Sequence, residues 1–258
     1  QSLGISPKPF DHLETLIKEV RPDALSICTP AEYHFKQILT AFDFGLPVFC
    51  EKPLFWGKHL NSEMLEIQLK LISEHQGRRL FLNTSNAYFM ESIIEKTGRP
   101  SAIKSFSFKF DTQGPHQKKN IAVDLLPHGL SLLIKLLGYK KITGLSQKVE
   151  CNSYQCYFRY GDCEVSFAFR EQKDCLKHLA FSINDREFTR TQKGKGETYK
   201  VYLKDCLTEE EFETEDPFQI YISRFLSQLN SSKVTEKDQF AEAAANLRMM
   251  SQIYFGDH

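Results

Sequence analysis

The chain has 258 residues, with 33 basic and 33 acidic side chains and a formal net charge of +0, which argues against nucleic acid or an anionic membrane surface as the main partner. A hydrophobic share of 41% fits a globular chain of one large domain or two modest ones, and no apolar run approaches the ~18 residues of a membrane span. The opening QSLGISPKPF carries no apolar leader, and the seven cysteines follow no zinc-type spacing, so the expectation is a cytoplasmic protein with reduced thiols and no metal.

Residues 1–10 form an unpatterned lead-in with two prolines. Asp11 and Glu14 then make a D-x-x-E capping box for a helix whose apolar face is Leu13, Leu16, Ile17 and Val20, ended by Pro22. Ala24–Cys28 is a short apolar run that suits a buried parallel strand, with Cys28 in the core. After Thr29-Pro30, the residues Phe35, Ile38, Leu39 and Phe42 mark one face of a helix, and Gly45 supplies its stop. A second strand, Val48–Cys50, runs straight into Glu51-Lys52-Pro53. That puts a charged pair at the carboxyl edge of a sheet, where open α/β folds bind ligands. A helix over Ser62–Gln76, stopped by Gly77, and a strand over Leu80–Leu82 complete an α-β-α-β-α-β rhythm across residues 11–85. The sequons at Asn83 and Asn230 are read as chance matches.

Beyond residue 86 the pattern changes. Asn86 to Phe89 read as a linker or a substrate lining. Phe106, Phe108 and Phe110 alternate with polar residues as an antiparallel strand, and residues 111–119 read as an exposed loop. A helix is predicted over Val123–Leu137. Tyr154 to Tyr160 and Val165 to Phe169 alternate about the hairpin signal Gly161-Asp162. Further strands are expected over Leu179–Ile183 and Tyr199–Leu203. One helix opens at Asp216-Pro217 and a last one covers Lys237–Tyr254. The fold class is α/β: a partial Rossmann-type parallel sheet over residues 1–85, then an α+β domain with a large, mainly antiparallel sheet over 86–258.

Two groups of residues carry chemistry. Lys52 at a strand end can hold a hydroxyl or an anion, or simply pair with Glu51 at the surface. Asp124 and His128 are i and i+4 on one helical face. A carboxylate there orients an imidazole and raises its basicity, as a general base needs; a pair that merely caps the helix is the plainer alternative. Pro127 fits that alternative if it lies in the first turn.

The ordered set Cys28-Thr29-Pro30, His34, Gly45 and Glu51-Lys52-Pro53 resembles the Gfo/Idh/MocA oxidoreductases. The stretch Asp124-Leu125-Leu126-Pro127-His128 matches that family's Asp-x-x-x-His motif, and the closing pair of helices matches its C-terminal domain. The resemblance implies a nicotinamide cofactor, NAD or NADP, and a small-molecule sugar, cyclitol or nucleotide-sugar substrate. Lys52 would contact the substrate hydroxyl, His128 would take its proton, and Asp124 would orient His128 or the sugar. Thr29, Pro30, His34, Glu51, Lys52 and Pro53 would serve the cofactor, and Asn86 and Tyr88 the substrate. The open face of the large sheet would make a homo-dimer or homo-tetramer contact.

There are departures. Asn120-Ile121-Ala122 stand where the family often has glycines, Leu130-Ser131 where a further aspartate follows, and Tyr88 where an arginine is common. No G-x-G-x-x-G occurs anywhere in the sequence. A truncated chain, or a sheet edge covered by a partner, is therefore expected. A non-catalytic binding or interaction protein on the same scaffold is the alternative function.

Overall fold

The computed structural model describes residues 6–75, 79–229 and 236–256. Gly77 and the sequon at Asn230 lie outside them. The first half comprises α1 (Leu13–Val20), β1 (Leu25–Ile27), α2 (Ala31–Asp43), β2 (Val48–Glu51), α3 (Ser62–Glu74) and β3 (Leu80–Asn83). The strands form a parallel sheet in the order β1-β2-β3, with Leu25 opposite Val48 and Val48 opposite Leu80. The central strand β2 buries Val48, Phe49 and Cys50 in succession because helices cover both its faces. Gly45 takes φ +78° in the turn between α2 and β2, a conformation that costs glycine no Cβ clash. Asn61 caps α3 by accepting the Met64 N–H at 2.8 Å. The expected capping box at Asp11 and Glu14 does not form: α1 starts with His12 as its N-cap, one residue too late for Asp11 to reach. Cys28 lies past the end of β1 and is exposed, whereas Cys50 is buried.

The second half comprises α4 (Ala87–Thr97), β4 (Ser105–Thr112), α5 (Lys119–Leu137), β5 (Ile142–Val149), β6 (Ser153–Tyr160), β7 (Cys163–Glu171), β8 (His178–Ile183), β9 (Arg186–Lys193), β10 (Lys200–Asp205), β11 (Glu211–Thr214), α6 (Pro217–Leu229) and α7 (Glu236–Phe255). Its eight strands run in the order β11-β10-β9-β8-β4-β7-β6-β5. Neighbours are antiparallel except β4 and β7. The strand expected to be purely antiparallel thus has one parallel partner, with Phe106 opposite Val165, and one antiparallel partner, with Phe106 opposite Ile183. The β6–β7 hairpin turns at Gly161, φ +62°. Asn86 to Phe89, expected as linker or lining, instead open the helix α4, which buries Ala87, Phe89, Met90 and Ile93.

Helix α5 lies on the apolar face of the large sheet. At Gly129 an added Cβ would come within 2.7 Å of the Phe108 ring, so only glycine permits this approach. The helix begins at Lys119, before the expected Val123, and Pro127 therefore sits in its interior rather than in its first turn. The Pro127 carbonyl accepts a hydrogen bond from Asn246 on α7 at 3.1 Å. By length and composition α5 is also long and apolar enough to cross a membrane, which no apolar run in the sequence suggests, but most of it is buried inside the protein. One buried apolar cluster runs from Ile27 and Val48 through α5 to the inner face of the large sheet and to Ile253.

Candidate functional site

The carboxyl end of the small sheet faces the first turns of α5 across a cavity of about 630 Å³. Strand β2 delivers Lys52 there. Its ammonium donates to the Asp124 backbone carbonyl at 2.8 Å and also to the Asp124 carboxylate oxygen Oδ1. The Lys52 side chain is only 14% exposed and that of Asp124 31%, so the pair is partly withdrawn from water. Pro30, Pro53 and Trp56 line the apolar side, and His116, Asn120 and Asp124 the polar side. The end of α7 closes the wall with Tyr254 and Phe255. The Trp56 ring stands edge-on to Tyr254, with centroids 5.1 Å apart, and stacks on Phe255 at 5.8 Å.

His128 sits one turn behind Asp124, packed edge-on against Phe110 at 5.5 Å. Its Nδ1 is enclosed and has no hydrogen-bond partner among the described residues. Burial first, and then the charge on Lys52, push its pKa down to about 3 against the opposing pull of Asp124; Arg190 adds to the lowering. The imidazole is therefore neutral at physiological pH, and the net lowering runs against the raised basicity expected of a histidine beside an orienting carboxylate. For Asp124, burial acts to raise the pKa, but the Lys52 charge and hydrogen bond, with His128 and His116, outweigh it and hold the carboxyl below its usual value. Glu171 at the end of β7 moves the other way: burial, aided by the like charge on Asp124, raises its pKa.

The sequence-predicted residues fall into three groups. Lys52 and Asp124 touch, and His128 stacks behind them on the same helix. Pro30, Lys52 and Pro53 line the cavity. Thr29, His34 and Glu51 instead serve the frame. The buried His34 ring places Nε2 2.7 Å from the Thr29 carbonyl and Nδ1 3.0 Å from the Pro53 carbonyl, tying together the turns that follow β1 and β2. Thr29 Oγ1 donates to Gln37 at 2.6 Å, and Glu51 accepts from Asn83 at 2.6 Å. Asn86 and Tyr88, read as substrate-lining, stand away from the cavity. Asn86 is the buried N-cap position of α4, and the Tyr88 hydroxyl donates to Glu215 at 3.2 Å with Arg224 over its ring. Helix α4 turns them toward α6, which the linker reading could not show. Sequence reasoning missed Trp56, His116, Asn120, Glu171, Tyr254 and Phe255. Glu171 did leave a signal: it continues the inward register of Val165, Phe167 and Phe169.

The residues present suit the nicotinamide end of a dinucleotide. Pro30, Pro53 and Trp56 offer apolar surface for a flat ring, and Lys52 and Asn120 offer polar groups at its edge. The sequence holds no glycine-rich phosphate loop, so the fit concerns that end alone.

Residues 1–83 match the family model described as an oxidoreductase family with an NAD-binding Rossmann fold. D-glucoside 3-dehydrogenase of Escherichia coli is 32% identical over 62 residues, which are 24% of this chain and 18% of that protein. Inositol 2-dehydrogenase of Corynebacterium glutamicum is 32% identical over 66 residues, 26% of this chain and 20% of that protein. Each match thus spans about a fifth of the relative's length. The structure of a 3-ketoreductase from Actinomadura kijaniata in complex with NADP and TDP-benzene aligns with a TM-score of 0.71 at 15% identity, over 96% of this chain and 82% of that one. That likeness shows the same two-sheet fold.

Proposed function

We infer that this chain, a Gfo/Idh/MocA oxidoreductase by residues 1–83 and by its fold, serves an NAD(P)-dependent dehydrogenase or reductase that interconverts a hydroxyl and a keto group on a sugar, cyclitol or nucleotide sugar. The observation that carries this reading is the Lys52–Asp124 contact at the mouth of an apolar cavity, with a neutral His128 behind it. The nicotinamide, when bound, supplies the hydride chemistry. Lys52 donates a hydrogen bond to the substrate oxygen and stabilises the negative charge that grows there. His128, neutral but held well below the pKa of a good base by burial and by the charge on Lys52, would take the proton that leaves the hydroxyl as negative charge grows on that oxygen. Asp124 holds Lys52 in place and sets a negative charge on the helical face that His128 shares. Trp56 and the end of α7 exclude water from one wall.

The sugar or cyclitol class rests on the names of the two dehydrogenases similar to residues of the first half. A cytoplasmic homo-dimer or homo-tetramer through the open face of the eight-stranded sheet belongs to the same proposal. Tyr157, 51% exposed, stands on that face among small serines. The test is a panel of inositols, glucosides and nucleotide sugars, read by nicotinamide absorbance. Turnover of at least one polyol with NAD or NADP is expected. Absence of both turnover and nicotinamide binding would overturn the enzyme in favour of a binding protein on the same scaffold.

A further inference from the structure

His116 and Asp124 on the polar wall of the cavity form a second cluster with the buried Glu171 behind them. The ligand atoms of His116, Asp124 and Glu171 all lie within 4.8 Å of one another. They come from three separate places: the loop after β4, the early part of α5 and the last residue of β7. The loop and Asp124 are also held by contacts outside the cluster. The loop is tied down by Lys118 N–H donating to the Cys151 carbonyl at 2.9 Å and by Gln113 donating to the Cys175 carbonyl at 3.2 Å. Asp124 is fixed by Lys52 through Oδ1, which leaves its second carboxylate oxygen available.

Glu171 is the independent observation that points to a ligand. The residue is 1% exposed. One oxygen, Oε1, accepts the His116 backbone N–H at 3.0 Å, and Gly114 packs so closely that an added Cβ would overlap that oxygen. The other, Oε2, is fully enclosed and has no partner among the described residues. A buried carboxylate oxygen with nothing to accept costs the full desolvation of that atom. The backbone has therefore been brought up to one oxygen of this carboxylate while the other is left without a partner among the described residues, in a side chain that lies within 4.8 Å of the ligand atoms of Asp124 and His116.

We propose that His116, Asp124 and Glu171 form a binding site for one divalent first-row metal ion. One imidazole nitrogen and two carboxylate oxygens make a mixed donor set that suits Zn²⁺ or Mn²⁺. Metal–ligand bonds of roughly 2.0–2.2 Å place coordinating atoms roughly 3–4 Å apart, so only small side-chain rotations close the present cluster onto an ion. Glu171 supplies Oε2, Asp124 the oxygen that Lys52 leaves free, and His116 a ring nitrogen from an exposed loop. The remaining positions face the cavity. This goes beyond the dehydrogenase reading and does not depend on it, since the site needs neither nicotinamide nor polyol.

The test uses Mn²⁺ as the probe, because the exposed thiols Cys28 and Cys151 would compete for Zn²⁺. After treatment with a chelator and its removal, the full chain is titrated with MnCl₂, and free Mn²⁺ is read by electron paramagnetic resonance. One Mn²⁺ per chain is expected to bind above the weak background of surface carboxylates. His116→Ala and Glu171→Gln should each weaken that binding at least tenfold, with unchanged circular dichroism. His116 lies on an exposed loop, so its variant keeps the test meaningful if Glu171→Gln fails to fold. Background binding alone in the wild type, or wild-type affinity in His116→Ala, overturns the site.

Discussion

Two charged clusters join separate helices and strands in this molecule, and they are built to different standards. On the side of α4 and α6, Glu91 receives Arg224 at 3.2 and 2.6 Å and Lys135 at 3.0 Å, so both its oxygens are paired. Burial raises the Glu91 pKa, but those partners outweigh it and hold the carboxyl low. At the cavity, Lys52 meets Asp124, yet His128 Nδ1 and Glu171 Oε2 are enclosed with no partner among the described residues. Both combine a lysine with buried or half-buried carboxylates. A satisfied network fixes elements to one another; an unsatisfied one beside a cavity keeps donors and acceptors in reserve for something that arrives.

The contrast is broken most directly at the cavity. His128→Asn is expected to lower turnover by roughly 10²–10⁴, the contribution of a positioned general base. Lys52→Met comes next, with an expected loss of roughly 10²–10³ for one donor to the developing oxyanion. Both are measured as initial rates of nicotinamide reduction on the best polyol. If both variants keep turnover within a few fold, the cavity cluster is no more functional than the Glu91 cluster.

How much of this contrast the sequence disclosed depends on the physics of each part. Strands β2 and β3 are buried on both faces, so they read as apolar runs, whereas the edge strand β1 leaves Ser26 exposed; Lys52 is legible from its place directly after the run that forms β2. The pair Asp124 and His128 is legible because i and i+4 share a helical face. Helix α4 carries a legible signal as well, because its buried Phe89, Met90 and Ile93 fall at i, i+1 and i+4 on one helical face. Strands β5 and β9 escape a sequence reading because most of their side chains are exposed or half-buried and carry no strong alternation. Trp56 meets Tyr254 and Phe255 only because α7 returns to the small sheet, a long-range contact that no local pattern encodes. Glu171 could have been found as a carboxylate occupying an inward, apolar register.

Glu91→Ala tests the opposite arm. Arg224 and Lys135 are 40% and 32% exposed at their side chains, so water softens the loss. A destabilisation of about 1–2 kcal/mol is expected, far less than a fully buried pair would lose. Thermal unfolding should shift down by roughly 2–4 °C per kcal/mol in a chain of this size, with turnover within twofold of wild type. A tenfold fall in turnover at unchanged Tm would erase the distinction between the clusters.

The pH dependence of stability separates them again. The folded-state pKa of His128, about 3, lies below the roughly 6.5 of a free histidine. Its contribution to stability is therefore fully present above pH ~6.5 and declines as the pH falls from there toward the folded value, because only the unfolded chain takes up the proton in that window. The decline of Tm between pH 7 and pH 4 should be shallower in His128→Asn than in the wild type. Parallel curves would mean that the imidazole is solvated and not held neutral.

The smallest effect is expected at Glu171. Its folded-state pKa is raised, by burial first and then by the charge on Asp124. A raised carboxyl pKa imposes no penalty below the unfolded value of about 4.3, where both states are protonated. The penalty grows as the pH rises through the folded value, because the folded chain must then ionise a carboxyl whose Oε2 has no partner. Glu171→Gln removes that charge and keeps an acceptor for the His116 N–H. In the presence of a chelator, which takes any metal out of the comparison, the variant should melt higher than the wild type at pH 8, by roughly 2–4 °C for each kcal/mol relieved. The two should coincide at pH 4. A variant that is less stable at pH 8 would show the carboxylate to be satisfied after all, and the cavity cluster would then resemble the Glu91 network in the one respect that now sets them apart.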